Sequence, residues 1–80
     1  MSNLDKEEIK NIISYQTSCD LEDLKPETRL IEDLCMDTLD IVDLVMSIEK
    51  KFDIVVADES IDKILTLNDL YEEVSRISGK

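Results

Sequence analysis

Histidine and tryptophan are absent from this 80-residue chain, and glycine, proline and phenylalanine occur once each. Without histidine, the commonest general base and metal ligand is missing. One glycine and one proline, with no repeat or low-complexity tract, leave little room for a linker. Residues 1–80 therefore read as a single domain. Two cysteines, Cys19 and Cys35, make neither a disulfide framework nor a zinc site, and they read as reduced thiols of a cytoplasmic protein. No apolar run approaches the roughly 20 residues of a membrane span, so no membrane insertion is expected. The opening "MSNLDKEEIK" lacks the basic and then apolar regions of a secretory leader.

Acid is what the chain has in excess. Twenty Asp and Glu against nine Lys and Arg give a net charge of −11. That sign repels nucleic acid and anionic lipid, and it steers the protein toward basic protein surfaces. Calcium is the obvious acidic ligand to test. "DLEDLKPETRLIED" and "DLCMDTLDIVDL" lack the central glycine of an EF-hand loop and place leucines where ligands belong, so no metal site is expected. A domain of this size also buries a thin core, about 60% of its unfolded surface. With no histidine and no room for a buried cleft, the chain reads as a non-enzyme.

Hydrophobic spacing predicts four helices. "SNLDKEEIKNIISYQT" is the first, capped by Ser2 or Asn3, with Ile9, Ile12, Ile13 and Gln16 on one face. A long connection follows, broken by Pro26 and pinned to the core by Leu21, Leu24, Leu30, Ile31 and Leu34. "DTLDIVDLVMSIEKKF" is the strongest helix, capped by Asp37 or Thr38. Leu39, Val42, Val45, Met46 and Phe52 supply core contacts, Ile41, Leu44 and Ile48 form a second apolar stripe, and Asp40, Asp43, Ser47 and Lys50 face solvent. "DIVV" is β-branched, but a lone strand has no partner, so it reads as an extended link. "ADESIDKI" is a short third helix. "TLNDLYEEVSRI" is the fourth, capped by Thr66, with Leu67, Leu70, Tyr71 and Val74 inward and Gly79 just beyond. The fold class is all-α, a bundle of three longer helices and one short one. The second stripe of the strongest helix faces Val56, Ile61 and Ile64, either as ordinary core or as the wall of a crevice.

On the residues alone, Thr38 has two readings. It is a helix cap, or it is a hydroxyl held at a helix N-terminus, where an incoming phosphate is favoured.

"EDLCMDTLDIVDLVMSIEKKFDI" resembles the centre of acyl carrier proteins, whose pattern is Asp-Leu-Gly-x-Asp-Ser-Leu-Asp followed by an apolar helix ending in acids and Phe. "ADES" and "KI" follow at the family's spacing, and the likeness runs without a gap from about Leu30 to Ile77. It implies a four-helix bundle carrying 4′-phosphopantetheine, whose thiol holds acyl groups as thioesters in fatty-acid, lipid or polyketide synthesis. The attachment point becomes Thr38, with Asp37 and Leu39 as motif neighbours. Asp40, Asp43, Glu49, Asp58, Glu59 and Asp62 match acidic positions that dock on basic patches of acyl-processing enzymes and of a phosphopantetheinyl transferase. Leu44, Ile48, Val56, Ile61, Ile64 and Leu70 match the acyl crevice, and the protein is expected as a monomer. The sequence departs from the pattern in several places. Threonine replaces the serine, Cys35 the glycine and Met36 a small residue, so the turn before Thr38 is expected to be bulkier and stiffer. Lys50 and Lys51 replace acids, Ala57 replaces a proline, and Ile61 and Leu70 are larger than the usual alanines. The alternative implied by these departures is an unmodified, carrier-like module that binds through its acidic helix face.

Overall fold

A computed structural model describes residues 3–78, and over these the chain is helical. The order is α1 (Asn3–Thr17), a 3-10 turn (Leu21–Asp23), α2 (Thr38–Phe52), α3 (Asp58–Ile61) and α4 (Leu67–Ser78). Ser2 and Gly79 lie outside the described residues, and Asn3 already stands inside α1. No described helix is long and apolar enough to cross a membrane. Of the "DIVV" segment, Asp53 is the left-handed residue that ends α2, and residues 54–56 form an irregular link that pairs with no strand among the described residues.

Both ends of α2 are written into its sequence. Asp37 caps it, accepting from the Asp40 N–H at 2.9 Å, while the Asp40 carboxylate accepts from the Asp37 N–H at 3.1 Å. This reciprocal box satisfies two backbone donors that a helix start leaves free. At the far end Asp53 turns left-handed (φ 55°), and Lys50 and Lys51 lie in the last turn, where the dipole favours cations. Helix α4 repeats the device: Thr66 Oγ1 accepts from the Asp69 N–H at 3.1 Å, and Asp69 accepts from the Thr66 N–H at 3.0 Å.

Glycine's scarcity shows in the backbone. Ser18, Cys35 and Asp53 all adopt positive φ, at 61°, 57° and 55°. Each carries a Cβ into a region that costs roughly 1 kcal/mol for a residue other than glycine.

The core is a single cluster built from all three long helices and the connection. Ile9 and Ile13 of α1, Leu44, Val45 and Ile48 of α2, and Leu67, Leu70 and Val74 of α4 are fully enclosed. Each such side chain contributes about 1.5–3 kcal/mol by leaving water. The connection is stitched to the start of α4 by an antiparallel bridge, Arg29 with Thr66, and by Leu30 N–H to Leu65 O (3.0 Å) and Leu67 N–H to Thr28 O (2.9 Å). Buried Thr28 joins in, its hydroxyl accepting from the Lys25 N–H at 2.9 Å.

Several expected inward residues point outward. Leu39 and Met46 are 74% and 49% exposed, because Ile41, Leu44, Val45 and Ile48 already fill the face of α2 that meets its neighbours. In the connection, Leu24 and Leu30 are buried and Leu34 packs against the cluster, but Leu21 and Ile31 are exposed.

Candidate functional site

Thr38 is the first residue of a 15-residue helix, and it is exposed. Asp37 takes the cap, which leaves the threonine hydroxyl free of that task. Two contacts steady the turn before it. Met36 is buried to 3% exposure and its N–H reaches Leu30 O at 3.3 Å. Met36, expected to make this turn bulkier and stiffer, also anchors it in the core. Cys35 is the left-handed residue that lets the chain reverse into the helix, and its side chain is exposed. From the opposite side, Gln16 of α1 donates to Asp40 O at 2.8 Å, tying the first turn of α2 to α1. Neither the Met36 nor the Gln16 contact is visible in a motif: burial of Met36 is decided by the shared core, and Gln16 reaches the turn from a different helix. The glycine position of the resembling pattern, by contrast, already pointed to the backbone turn at Cys35.

Leu39 stands exposed beside Thr38 as an apolar lip. The acidic residues divide into two groups. Asp43, Asp58, Glu59 and Asp62 are exposed, while Asp40 and Glu49 are half-buried and partly spent. Asp40 closes the capping box, and Glu49 accepts from the Val56 N–H at 2.8 Å, which ties the extended link back to α2. Asp40 is thus less a solvent-facing residue than its place on the polar stripe predicts.

Leu44, Ile48, Val56, Ile64 and Leu70 are buried together, and half-buried Ile61 packs against them. They belong to α2, to α3 and the segments flanking it, and to α4, and all six are part of or packed against the one core cluster. Ile64 also borders a surface hollow of about 390 Å³ shared with Lys63, Asp69 and Arg76.

Tyr71, like Thr28, brings a hydroxyl into the interior. It is 5% exposed, its hydroxyl has no hydrogen-bond partner among the described residues, and Lys6 Nζ stands 5.4 Å from the ring centroid. Burial, and secondarily the charge of Glu7, push its pKa up to about 12. On the surface, the Arg29 guanidinium is held more firmly protonated by its hydrogen bond and charge pairing with Glu32.

Residues 7–74 match the family described as "Phosphopantetheine attachment site". An acyl carrier protein of Helicobacter hepaticus (strain ATCC 51449 / 3B1) is 47% identical over 64 residues, which is 80% of this chain and 84% of that protein. Among solved structures, a Mycobacterium tuberculosis protein described as an acyl carrier protein superposes with a TM-score of 0.84 at 26% identity, covering 90% of this chain and 96% of that one.

Proposed function

The chain belongs to the acyl carrier protein family, and from that premise we propose that Thr38 is the residue that bears its 4′-phosphopantetheine. When bound, that prosthetic group supplies a terminal thiol on which acyl chains are held as thioesters. The observation that carries the assignment is the exposed Thr38 hydroxyl at the first position of α2, with the cap supplied by its neighbour. The donor chemistry fits a phosphodiester: a free alcohol oxygen beside first-turn N–H groups and the positive end of a helix dipole. Asp37 and Asp40 hold that turn in shape, Met36 anchors the chain leading into it, and Leu39 forms its apolar rim.

In this reading Leu44, Ile48, Val56, Ile61, Ile64 and Leu70 part to admit an acyl chain between α2 and the α3–α4 side. Exposed Asp43, Asp58, Glu59 and Asp62 meet basic patches on acyl-processing enzymes and on a phosphopantetheinyl transferase, with Asp40 and Glu49 adding what their internal bonds leave free. The chain acts as a monomeric single-domain carrier in the cytoplasm. It serves fatty-acid or related acyl synthesis and catalyses nothing itself.

Threonine's β-methyl limits χ1 and crowds the approach of its oxygen to phosphorus. A loss of about 3 kcal/mol in that transition state slows transfer roughly a hundredfold. The test exposes the protein and its Thr38→Ser variant to coenzyme A and a broad-specificity transferase, then follows intact mass and maps the adduct by peptide sequencing. The expected result is fast loading of the variant and slow loading of the parent, both at residue 38. An adduct elsewhere overturns the assignment. A parent that never loads, here and in its own host, assigns the chain to the unmodified binding module.

A further inference from the structure

Lys50 and Lys51 close α2 with positive charge on a chain of net −11. They form one end of a shallow, open depression of about 820 Å³ between α1 and α2, bordered also by Glu8, Ile12, Tyr15 and Ser47. Lys51 Nζ meets Glu8 Oε2 at 3.0 Å, so one lysine is matched. Lys50 is exposed and has no ion-pair partner among the described residues. The helix dipole accounts for cations at this end of α2. It does not account for Tyr15, 91% exposed on the facing helix, or for half-buried Ile12 beside it. Along α2, Asp43 and Lys50 are seven residues apart on one face, about 10 Å at 1.5 Å per residue. The face therefore changes sign within the span of a single docking footprint.

We infer that this groove is a second contact surface, and that its occupant is a segment of an acyl-processing partner bearing a carboxylate for Lys50 and an apolar side chain for the wall of Tyr15 and Ile12. The inference rests on the carrier reading above and adds to it the chemistry of the partner. Charge selects the occupant. Two lysines face one glutamate in this hollow, so it attracts a carboxylate that the surrounding acidic surface repels. A basic strip that extends over Lys50 meets like charge there, which weakens that part of the contact and leaves the acidic strip to bind it. An exposed tyrosine supplies rigid contact area of the kind that dominates binding energy when it is covered.

The test is an amide-shift titration of the isotope-labelled full chain at about 0.15 M salt, where distant charges are screened. Two synthetic helical peptides of equal length serve as probes, one bearing Glu and Leu side chains, the other with every Glu replaced by Lys. The Glu peptide should move the signals of Tyr15, Ser47, Lys50 and Lys51. Lys50→Glu should weaken it about tenfold, an attraction turned to repulsion at one site, and Tyr15→Ala should weaken it too, with the parent's melting curve retained in both. Groove signals that stay still, or that move equally in Lys50→Glu, overturn the inference. The Lys peptide reads the acidic strip at Asp43, Asp58 and Asp62 independently. A silent groove beside a responsive strip sinks this inference alone, and the reverse sinks the acidic-docking assignment alone.

Discussion

Replacing Tyr71 with phenylalanine should make this protein more stable at neutral pH and remove a loss of stability at alkaline pH. The ring fills a place in the core between α1 and α4, and Lys6 stands over its face. Phenylalanine keeps both the packing and the cation–π contact. What it deletes is a buried hydroxyl with no partner among the described residues. Such a group costs about 1–3 kcal/mol to desolvate, so a gain of about 1–2 kcal/mol is expected. In a domain of this size that raises the melting temperature by roughly 4–8 °C per kcal/mol. The pH dependence has a definite direction. An unfolded tyrosine loses its proton near pH 10, and the folded protein holds that of Tyr71 until about pH 12. The unfolded state therefore gives up its proton first, and the stability due to this difference, present below pH 10, is lost between about pH 10 and 12. Urea melts at neutral pH and across that window, in a Tyr15→Phe background so that one tyrosine remains, provide the measurement, with tyrosinate absorbance as the direct readout. A Tyr71→Phe variant that melts lower at neutral pH would show that the hydroxyl is satisfied, and would refute the reasoning.

Other perturbations probe the turn at Thr38 and the charge of the whole. Cys35→Gly removes a Cβ from a left-handed residue and should stabilise by about 1 kcal/mol, read as a shift of the urea midpoint; destabilisation would mean that the cysteine side chain contributes packing not evident from its exposure. Asp37→Ala should cost about 1 kcal/mol through the lost cap, whereas Asp43→Lys should leave the melt nearly unchanged while weakening association with a basic partner; equal effects on folding would erase the distinction between the two. Raising ionic strength should raise the melting temperature, because carboxylates at a net charge of −11 repel one another in the compact state, and a midpoint that stays or falls contradicts this.

Much of this molecule is legible in local pattern. The period of its apolar residues and the Asp37 and Thr66 caps place α2 and α4, and the absence of any partner strand settles that "DIVV" is a link. The run from Asp33 to Asp40 marks the turn where Thr38 stands exposed. Periodicity says that a helix has apolar sides; it does not say on which side its neighbours lie. Because α2 carries two apolar stripes, only packing decided that Ile41 and Val45 turn in while Leu39 and Met46 turn out. Contacts between elements, and side chains that reach back to the backbone of a link, leave no signal in the helical period. Met36 beneath the turn, Gln16 on the Asp40 carbonyl, Glu49 on the Val56 N–H and the hydroxyl of Tyr71 stranded in the core were decided by tertiary structure. So was the groove at Lys50, which exists only because α1 lies alongside α2. Sequence determines which segments can be helices and where they start, since capping and amphipathicity are short-range. The side chains that meet are set by how the helices share one core too small to hold every apolar group the chain offers.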